Sequence, residues 1–185
     1  MTNEALIFPA TVKIDTREQL GFTFADIYAD AAQGRKLLTI PMVVGTLQSG
    51  DYSLEGFENL VACERKSIDD LFSTIAHGRK RFEAELSRLN GMKYAAVVVE
   101  GDWQAILADP PPVRSQLPGK IVFRSVLAWT QRYPNCHWFM MPSRRLAEVT
   151  TFRILERFLR DNAKIVWGTR SRRTLQLEQE TETNG

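Results

Sequence analysis

Asp51, Glu64 and Lys66 are the residues of this sequence whose types and spacing point most directly to chemistry. Glu64-Arg65-Lys66 closes the run Leu60-Val61-Ala62-Cys63, which has the composition of a strand. Side chains on a strand alternate between faces, so Glu64 and Lys66 point one way and Arg65 the other. Residues 51–54 are set to pair with residues 60–66 across the turn Glu55-Gly56-Phe57-Glu58-Asn59. The two strands run in opposite directions, which brings Asp51 near the Lys66 end of its neighbour. Two carboxylates and an ammonium then converge at one sheet edge. Carboxylates that meet without a cation repel and raise one another's pKa, and a divalent cation removes that cost. Hard oxygen ligands suit Mg²⁺ or Mn²⁺, and Mg²⁺ takes one or two carboxylates together with waters and phosphate oxygens. A lysine beside such an ion can orient or deprotonate a water and offset the charge that develops on a phosphorus centre. This is equipment for phosphodiester hydrolysis. His and Cys at zinc spacing are absent. A solvated ion pair between Glu64 and Lys66 accounts for the same residues, and the three positions alone do not choose between the two accounts.

The elements that must position these residues can be read from periodicity and punctuation. Residues 11–16 alternate polar and apolar, as a strand does. A short helix is expected within 24–33. Residues 37–47 are apolar and β-branched, with Pro41 arguing against a central strand. A long amphipathic helix is expected over 67–90, with Ser67 as N-cap, Asp69 and Asp70 in its first turn and Asn90-Gly91 at its end. Its apolar stripe is Leu71, Ile75, Phe82, Leu86 and Leu89. The continuous apolar run 94–99 reads as a strand buried on both faces. A loop over 109–119 follows from three consecutive prolines and Pro118-Gly119. A helix near 120–132, a strand near 136–141, a helix near 144–161 and a short strand at 164–167 complete the chain. Hairpins come early and strand–helix alternation late, which predicts an α/β domain with a mixed central sheet and helices on both faces.

Composition limits the alternatives. The chain has 185 residues, 44% hydrophobic and 25% charged, enough for one domain of residues 1–168 and followed by a flexible tail over 169–185. Wholesale disorder is excluded by the apolar fraction. Two cysteines, Cys63 and Cys136, do not make a disulfide framework. No apolar run approaches membrane-spanning length, and the first residues lack the basic and apolar regions of a signal peptide, so a reducing cytoplasm is the expected compartment. The net charge of +2 decides little, but the basic residues are clustered in 78–93 and 164–173.

Gly50-Asp51 followed by Glu64-Arg65-Lys66-Ser67-Ile68-Asp69-Asp70 resembles the GD…ERKxxxD signature of the ERCC4-type nuclease domain, the domain of XPF- and MUS81-like structure-specific endonucleases and of phage and bacterial proteins. Ile14-Asp15-Thr16-Arg17-Glu18 resembles the family's first strand, Gly78-Arg79 with Phe82 and Glu83 its following helix, and Val97-Val98-Val99-Glu100-Gly101 its next strand. The elements occur in family order. The resemblance implies a restriction-endonuclease-like fold and Mg²⁺- or Mn²⁺-dependent cleavage of DNA at branches, flaps or junctions, in repair, recombination or phage DNA processing. It implies Asp51 and Glu64 as metal ligands and Lys66 acting on the attacking water. Asp15 and Glu18 would stand at the same edge, as a further ligand (Asp15) or bracing the ligands from behind, and Asp70 close by on the following helix. Arg17, Arg65 and Arg79 would position phosphates or brace the carboxylates. No motif position is lost, which speaks against the family's other role, a non-catalytic DNA-binding or scaffold subunit. Familiar members carry a C-terminal helix-hairpin-helix pair that has no room here after residue 165, as in compact phage-type members. That leaves homodimerisation to this domain and an additional DNA grip, or a helicase, to a partner.

Other residues are weighed on composition. Arg79, Lys80, Arg81 and Arg88 could contact phosphates from the basic helix. Arg170, Arg172 and Arg173 could form a basic arm. His77 and His137 have no nucleophile partner, and Trp129, Trp138 and Trp167 are expected in the core. The wide apolar face of 144–161 is expected to pack on the sheet, with a homodimer surface accounting for the remainder.

Overall fold

A computed structural model describes residues 6–29, 36–110 and 114–162. In chain order the strands are β1 (Leu6–Ile7), β2 (Val12–Ile14), β3 (Tyr28–Ala29), β4 (Lys36–Thr39), β5 (Met42–Val44), β6 (Tyr52–Leu54), β7 (Val61–Ser67), β8 (Tyr94–Glu100) and β9 (Cys136–Met141). The helices are α1 (Ile68–Ser73), α2 (Arg79–Asn90), α3 (Trp103–Leu107), α4 (Gly119–Arg132) and α5 (Arg144–Asp161), with a π-helical turn at Thr74–Gly78 between α1 and α2.

Six strands form the central sheet in the order β5-β2-β6-β7-β8-β9. β6 is antiparallel to β2 and β7, and the other neighbouring pairs are parallel. The sheet is mixed, as the hairpin-then-alternation pattern predicts. A three-stranded sheet, β1-β4-β3, lies beside it. β8 is buried on both faces because helices cover both. Ala96 and Val98 join Val61 and Cys63 against Phe152, Leu155 and Phe158 of α5. Ala95, Val97 and Val99 join Ala62 against Leu71, Phe82, Leu86, Val122 and Trp129 on the opposite face. Among the described residues no helix is long and apolar enough to cross a membrane.

The elements expected at 11–16, 51–54, 60–66, 94–99, 120–132, 136–141 and 144–161 are present within a residue or two. The helix expected within 24–33 is absent from 24–29. Phe24 and Asp26 take φ of 51° and 53°, and Tyr28–Ala29 pairs with β4. Tertiary contacts decide this: Glu148 of α5 accepts the N–H groups of Thr23 (3.0 Å) and Phe24 (2.6 Å), and the Phe24 ring packs on Tyr52 and Phe152. The segment 37–47 divides at Ile40-Pro41, sending β4 to the small sheet and β5 to the edge of the large one. Helix α3, N-capped by Asp102 through the Ala105 N–H at 2.8 Å, precedes the proline loop and carries too few residues for periodicity to reveal it. Trp129 is core, stacked on Trp138, and His137 stacks on Tyr94. The expected strand at 164–167, Trp167, the arginines at 170, 172 and 173 and the tail lie outside the described residues.

The helix expected over 67–90 begins as predicted, with Ser67 Oγ accepting the Asp70 N–H at 3.1 Å. The π turn then divides it. Phe82, Leu86 and Leu89 of α2 remain buried against the sheet, while Arg81, Glu85 and Arg88 face the β6–β7 hairpin.

Candidate active site

The hairpin sets the register of the site. Tyr52 pairs with Cys63, so one residue along, Asp51 faces Glu64 across the strands. The Asp51 backbone is held on both sides: its N–H donates to Cys63 (2.9 Å) and its carbonyl accepts from Asp15 N–H (2.8 Å). The Arg65 N–H donates to Asp51 Oδ2 at 2.7 Å. Gly50 immediately before has φ +79°, and a Cβ there would stand 2.9 Å from the Ala62 Cβ. Only glycine brings the chain that close to β7 at this backbone angle.

Lys66 Nζ lies 3.4 Å from Glu64 Oε1 and 4.6 Å from the centre of the Phe82 ring. Both charged groups are nearly buried, at 12% and 14% side-chain exposure. Asp51, Glu64 and Lys66 line one cleft of about 350 Å³ with Arg17, Arg81, Glu85 and Arg88. Burial pushes the Asp51 carboxyl up to about 6; the Glu18 charge adds to this, and the Arg65 N–H and Lys66 act against it. Burial, and then the Asp51 charge, push Glu64 up to about 8 against the pull of Lys66. One ammonium therefore faces two buried carboxylates. Among the described residues no group of three His, Cys, Asp or Glu side chains is gathered for a metal. Two hard carboxylates with uncompensated charge, open to a cleft, fit Mg²⁺ or Mn²⁺ that takes its other ligands from water and phosphate.

The other residues singled out by sequence separate into groups. Asp15 is 1% exposed and both its oxygens are occupied: Oδ1 accepts Arg17 N–H and Nε–H (2.9 and 2.6 Å), and Oδ2 accepts Leu47 N–H (2.6 Å). Burial alone would raise its pKa, but these donors hold it below the ordinary carboxylate value. The structure thus gives Asp15 a loop-holding geometry. Glu18 and Arg65 lie behind the site. Arg65 Nη1 meets Glu18 Oε1 at 3.2 Å and its Nε meets Glu100 Oε1 at 2.6 Å, on the face of β7 opposite Glu64. Arg144 also reaches Glu100, at 2.9 Å. Asp70 lines a different cleft, with Asp69, His77 and Arg114. Arg79 bonds Ser125 (2.6 Å) and sits over the Trp129 ring, fastening α2 to α4. Lys80 is exposed. Arg81 lines the cleft without an ion pair among the described residues, and Arg88 bonds Ser49 and Glu85.

Glu85 and Glu100 were not expected at the site. Glu85 lies midway between Arg81 and Arg88 at helical spacing, which places all three on one face, but nothing local says that this face meets a strand end. Glu100 ends the apolar run 94–99, and its partner Arg65 is 35 residues away.

The ERCC4 domain family model matches residues 14–150. No curated protein matches the chain. Among solved structures, XPF from Aeropyrum pernix is similar at 18% identity, with a TM-score of 0.54, over 81% of this chain and 60% of that one. XPF from Aeropyrum pernix in complex with DNA is similar at 19% identity, with a TM-score of 0.51, over 82% of this chain and 66% of that one. The likeness extends to the fold, and this chain spans about two thirds or less of those structures. With a family model covering most of the sheet and every motif of the cleft, the chain belongs to the ERCC4 domain family.

Proposed function

We propose that the chain is a divalent-metal-dependent endonuclease that hydrolyses phosphodiester bonds in branched or junction DNA. One observation carries the reading: Asp51 and Glu64 face each other across the hairpin in an open cleft, with Lys66 the sole ammonium lining it among the described residues. Family membership and a structural neighbour solved in complex with DNA support DNA as the partner. Asp51 and Glu64 would hold Mg²⁺ or Mn²⁺, which when bound supplies charge neutralisation at the scissile phosphate and lowers the pKa of water. Lys66 lines the cleft, held by Glu64 and the Phe82 ring. There it orients the attacking water and offsets the negative charge of the transition state. Arg81 and Arg17, both exposed at the mouth, draw in and align the phosphates on either side. In-line attack leaves 5′-phosphate and 3′-hydroxyl ends, as the family resemblance implies.

The test is cleavage of labelled duplex, single-stranded, flap, fork and four-way-junction DNA with Mg²⁺, Mn²⁺ or EDTA. Wild type should cut only with metal, while Lys66→Ala and Asp51→Asn should cut at least about 10²-fold more slowly. Binding without cutting on every substrate would make the chain a DNA-binding or scaffold subunit. Cutting undiminished by either substitution would remove the proposed site.

A further inference from the structure

The loop between β5 and β6 delivers Asp51, and it is gripped at two places by the same arrangement of groups. At its near end Asp15 Oδ2 accepts the Leu47 N–H at 2.6 Å, Arg17 Nη2 donates to the Leu47 carbonyl at 3.0 Å, and Asp15 and Arg17 pair with each other. At its far end Glu85 Oε1 accepts the Gly50 N–H at 3.1 Å, Arg88 Nε donates to Ser49 Oγ at 3.0 Å, and Glu85 and Arg88 pair through Glu85 Oε2. Each carboxylate takes a loop N–H, each guanidinium takes a loop oxygen, and each pair closes on itself. Leu47 and Ser49 are both 2% exposed, so their polar groups have little water to turn to. Gly50 has no side chain to fix its orientation, and its φ of +79° is one that glycine enters and leaves freely.

We propose that Glu85, together with Arg88, is a positioning residue for Asp51: it holds the Gly50 N–H and so keeps the Asp51 carboxylate opposite Glu64, which sets the cation affinity of the site. The inference rests on the metal-site reading above. Glu85 acts through the backbone. Both its oxygens are occupied, Oε1 by the Gly50 N–H and Oε2 by Arg88, and the acceptor for the Gly50 N–H is the feature required.

The test is Mn²⁺ titration by calorimetry on the full chain without DNA, comparing wild type, Asp51→Asn, Glu85→Ala, Glu85→Gln and Ser49→Ala, with thermal melting of each. Glu85→Ala should bind Mn²⁺ about tenfold more weakly, the scale seen when a group that orients a metal ligand is removed. Glu85→Gln keeps an acceptor for the Gly50 N–H and should stay within about threefold of wild type on the same scale. Saturating Mn²⁺ should restore the cleavage rate of Glu85→Ala, because the reacting groups are intact. Unchanged Mn²⁺ affinity in Glu85→Ala overturns the inference. Glu85→Gln as weak as Glu85→Ala also overturns it, since the charge itself would then be at work. If Glu85→Ala does not fold, Ser49→Ala decides: it loosens the Arg88 grip and should weaken Mn²⁺ binding measurably, and no change would sink the idea. Loss of Mn²⁺ binding in Asp51→Asn with full binding in Glu85→Ala removes only this inference. Undiminished binding in Asp51→Asn removes the metal-site reading beneath it.

Discussion

The Arg65 N–H reaches Asp51 Oδ2 at 2.7 Å, so the carboxylate is steered by the backbone of β7, while the Arg65 side chain works on the other face of the sheet. The middle residue of Glu64-Arg65-Lys66 therefore does two separate things. Its amide orients a site carboxylate, and its guanidinium holds Glu18 and Glu100 together behind the site.

Arg65→Met should expose that second role as a loss of stability. Arg65, Glu18 and Glu100 have side chains 10%, 8% and 12% exposed, so removing the guanidinium leaves two shielded carboxylates facing each other, with Arg144 compensating only Glu100. Breaking a buried ion pair from one side costs about 3–5 kcal/mol. Urea denaturation checks this, and a change under about 1 kcal/mol would place the group in the class of exposed pairs instead.

Gly50→Ala and Gly56→Ala form a matched pair, with φ of +79° and +83°. A Cβ at Gly56 meets nothing within 4 Å, whereas one at Gly50 meets the Ala62 Cβ at 2.9 Å and the Cys63 carbonyl at 3.3 Å. Gly56→Ala should cost about 1 kcal/mol in stability, the strain of the backbone angle alone, with metal binding unchanged. Gly50→Ala should cost more and also weaken Mn²⁺ binding. Equal effects of the two in denaturation and calorimetry would contradict the close approach to β7.

Lys66→Met should separate binding from chemistry. The ammonium touches Glu64 and the Phe82 ring, and its long stem is matched by methionine. Cleavage is expected to fall about 10²–10³-fold, as when one stabilising donor is removed from a transition state. Mn²⁺ affinity should hold or rise, because Glu64 loses a competing cation. Single-turnover rates at saturating metal give the answer, and a variant defective only in metal affinity would assign Lys66 to holding the site together.

The acid–base state of the pair predicts how metal-free protein responds to pH. Burial pushes the Asp51 and Glu64 carboxyls up in the fold, to about 6 and about 8, from their ordinary values of 3.8 and 4.5. Between the ordinary and the raised values the folded state holds more protons than the unfolded one, so stability falls as pH rises through that window. In EDTA the melting temperature should therefore decline from about pH 4.5 to pH 8. Mg²⁺ or Mn²⁺ should oppose the decline increasingly toward pH 8, since metal binds the ionised carboxylates. Asp51→Asn should flatten the metal-free profile. A melting temperature rising over the same window in EDTA would contradict the assignment.

Arg81 and Arg79 are two residues apart and should behave differently. Arg81 opens on the cleft, while Arg79 is engaged by Ser125, Glu83 and the Trp129 ring. Arg81→Ala should weaken DNA binding and lower the salt dependence of log K by about one unit of slope, one phosphate contact. Arg79→Ala should leave that slope nearly unchanged and lower the melting temperature. Binding isotherms across salt concentrations distinguish the two, and a reversed pattern would exchange their roles.

Much of this site is legible locally because its signals are local. A strand, a five-residue turn and a second strand fix which side chains share a face, and Gly50-Asp51 marks the sharp entry to the hairpin. Ser67 announces the helix that follows. The region 24–29 departs from the expected helix because its conformation is imposed from 124 residues away, by Glu148 binding the Phe24 N–H. Glu85 carries no local signal of its contact, since its partner Gly50 is 35 residues distant.

The sequence by itself determined the alternation of elements, the opposing placement of Glu64 and Arg65, and the family motifs, because periodicity and turn chemistry act between neighbours. Tertiary structure decided which charges are compensated. Asp15 is saturated by Arg17 and Leu47, Glu18 and Glu100 by Arg65, and Glu85 by Gly50 and Arg88. Asp51 and Glu64 are left with one lysine between them. Compensation depends on which groups become neighbours when helices close over a sheet and exclude water, and spacing along the chain does not encode that.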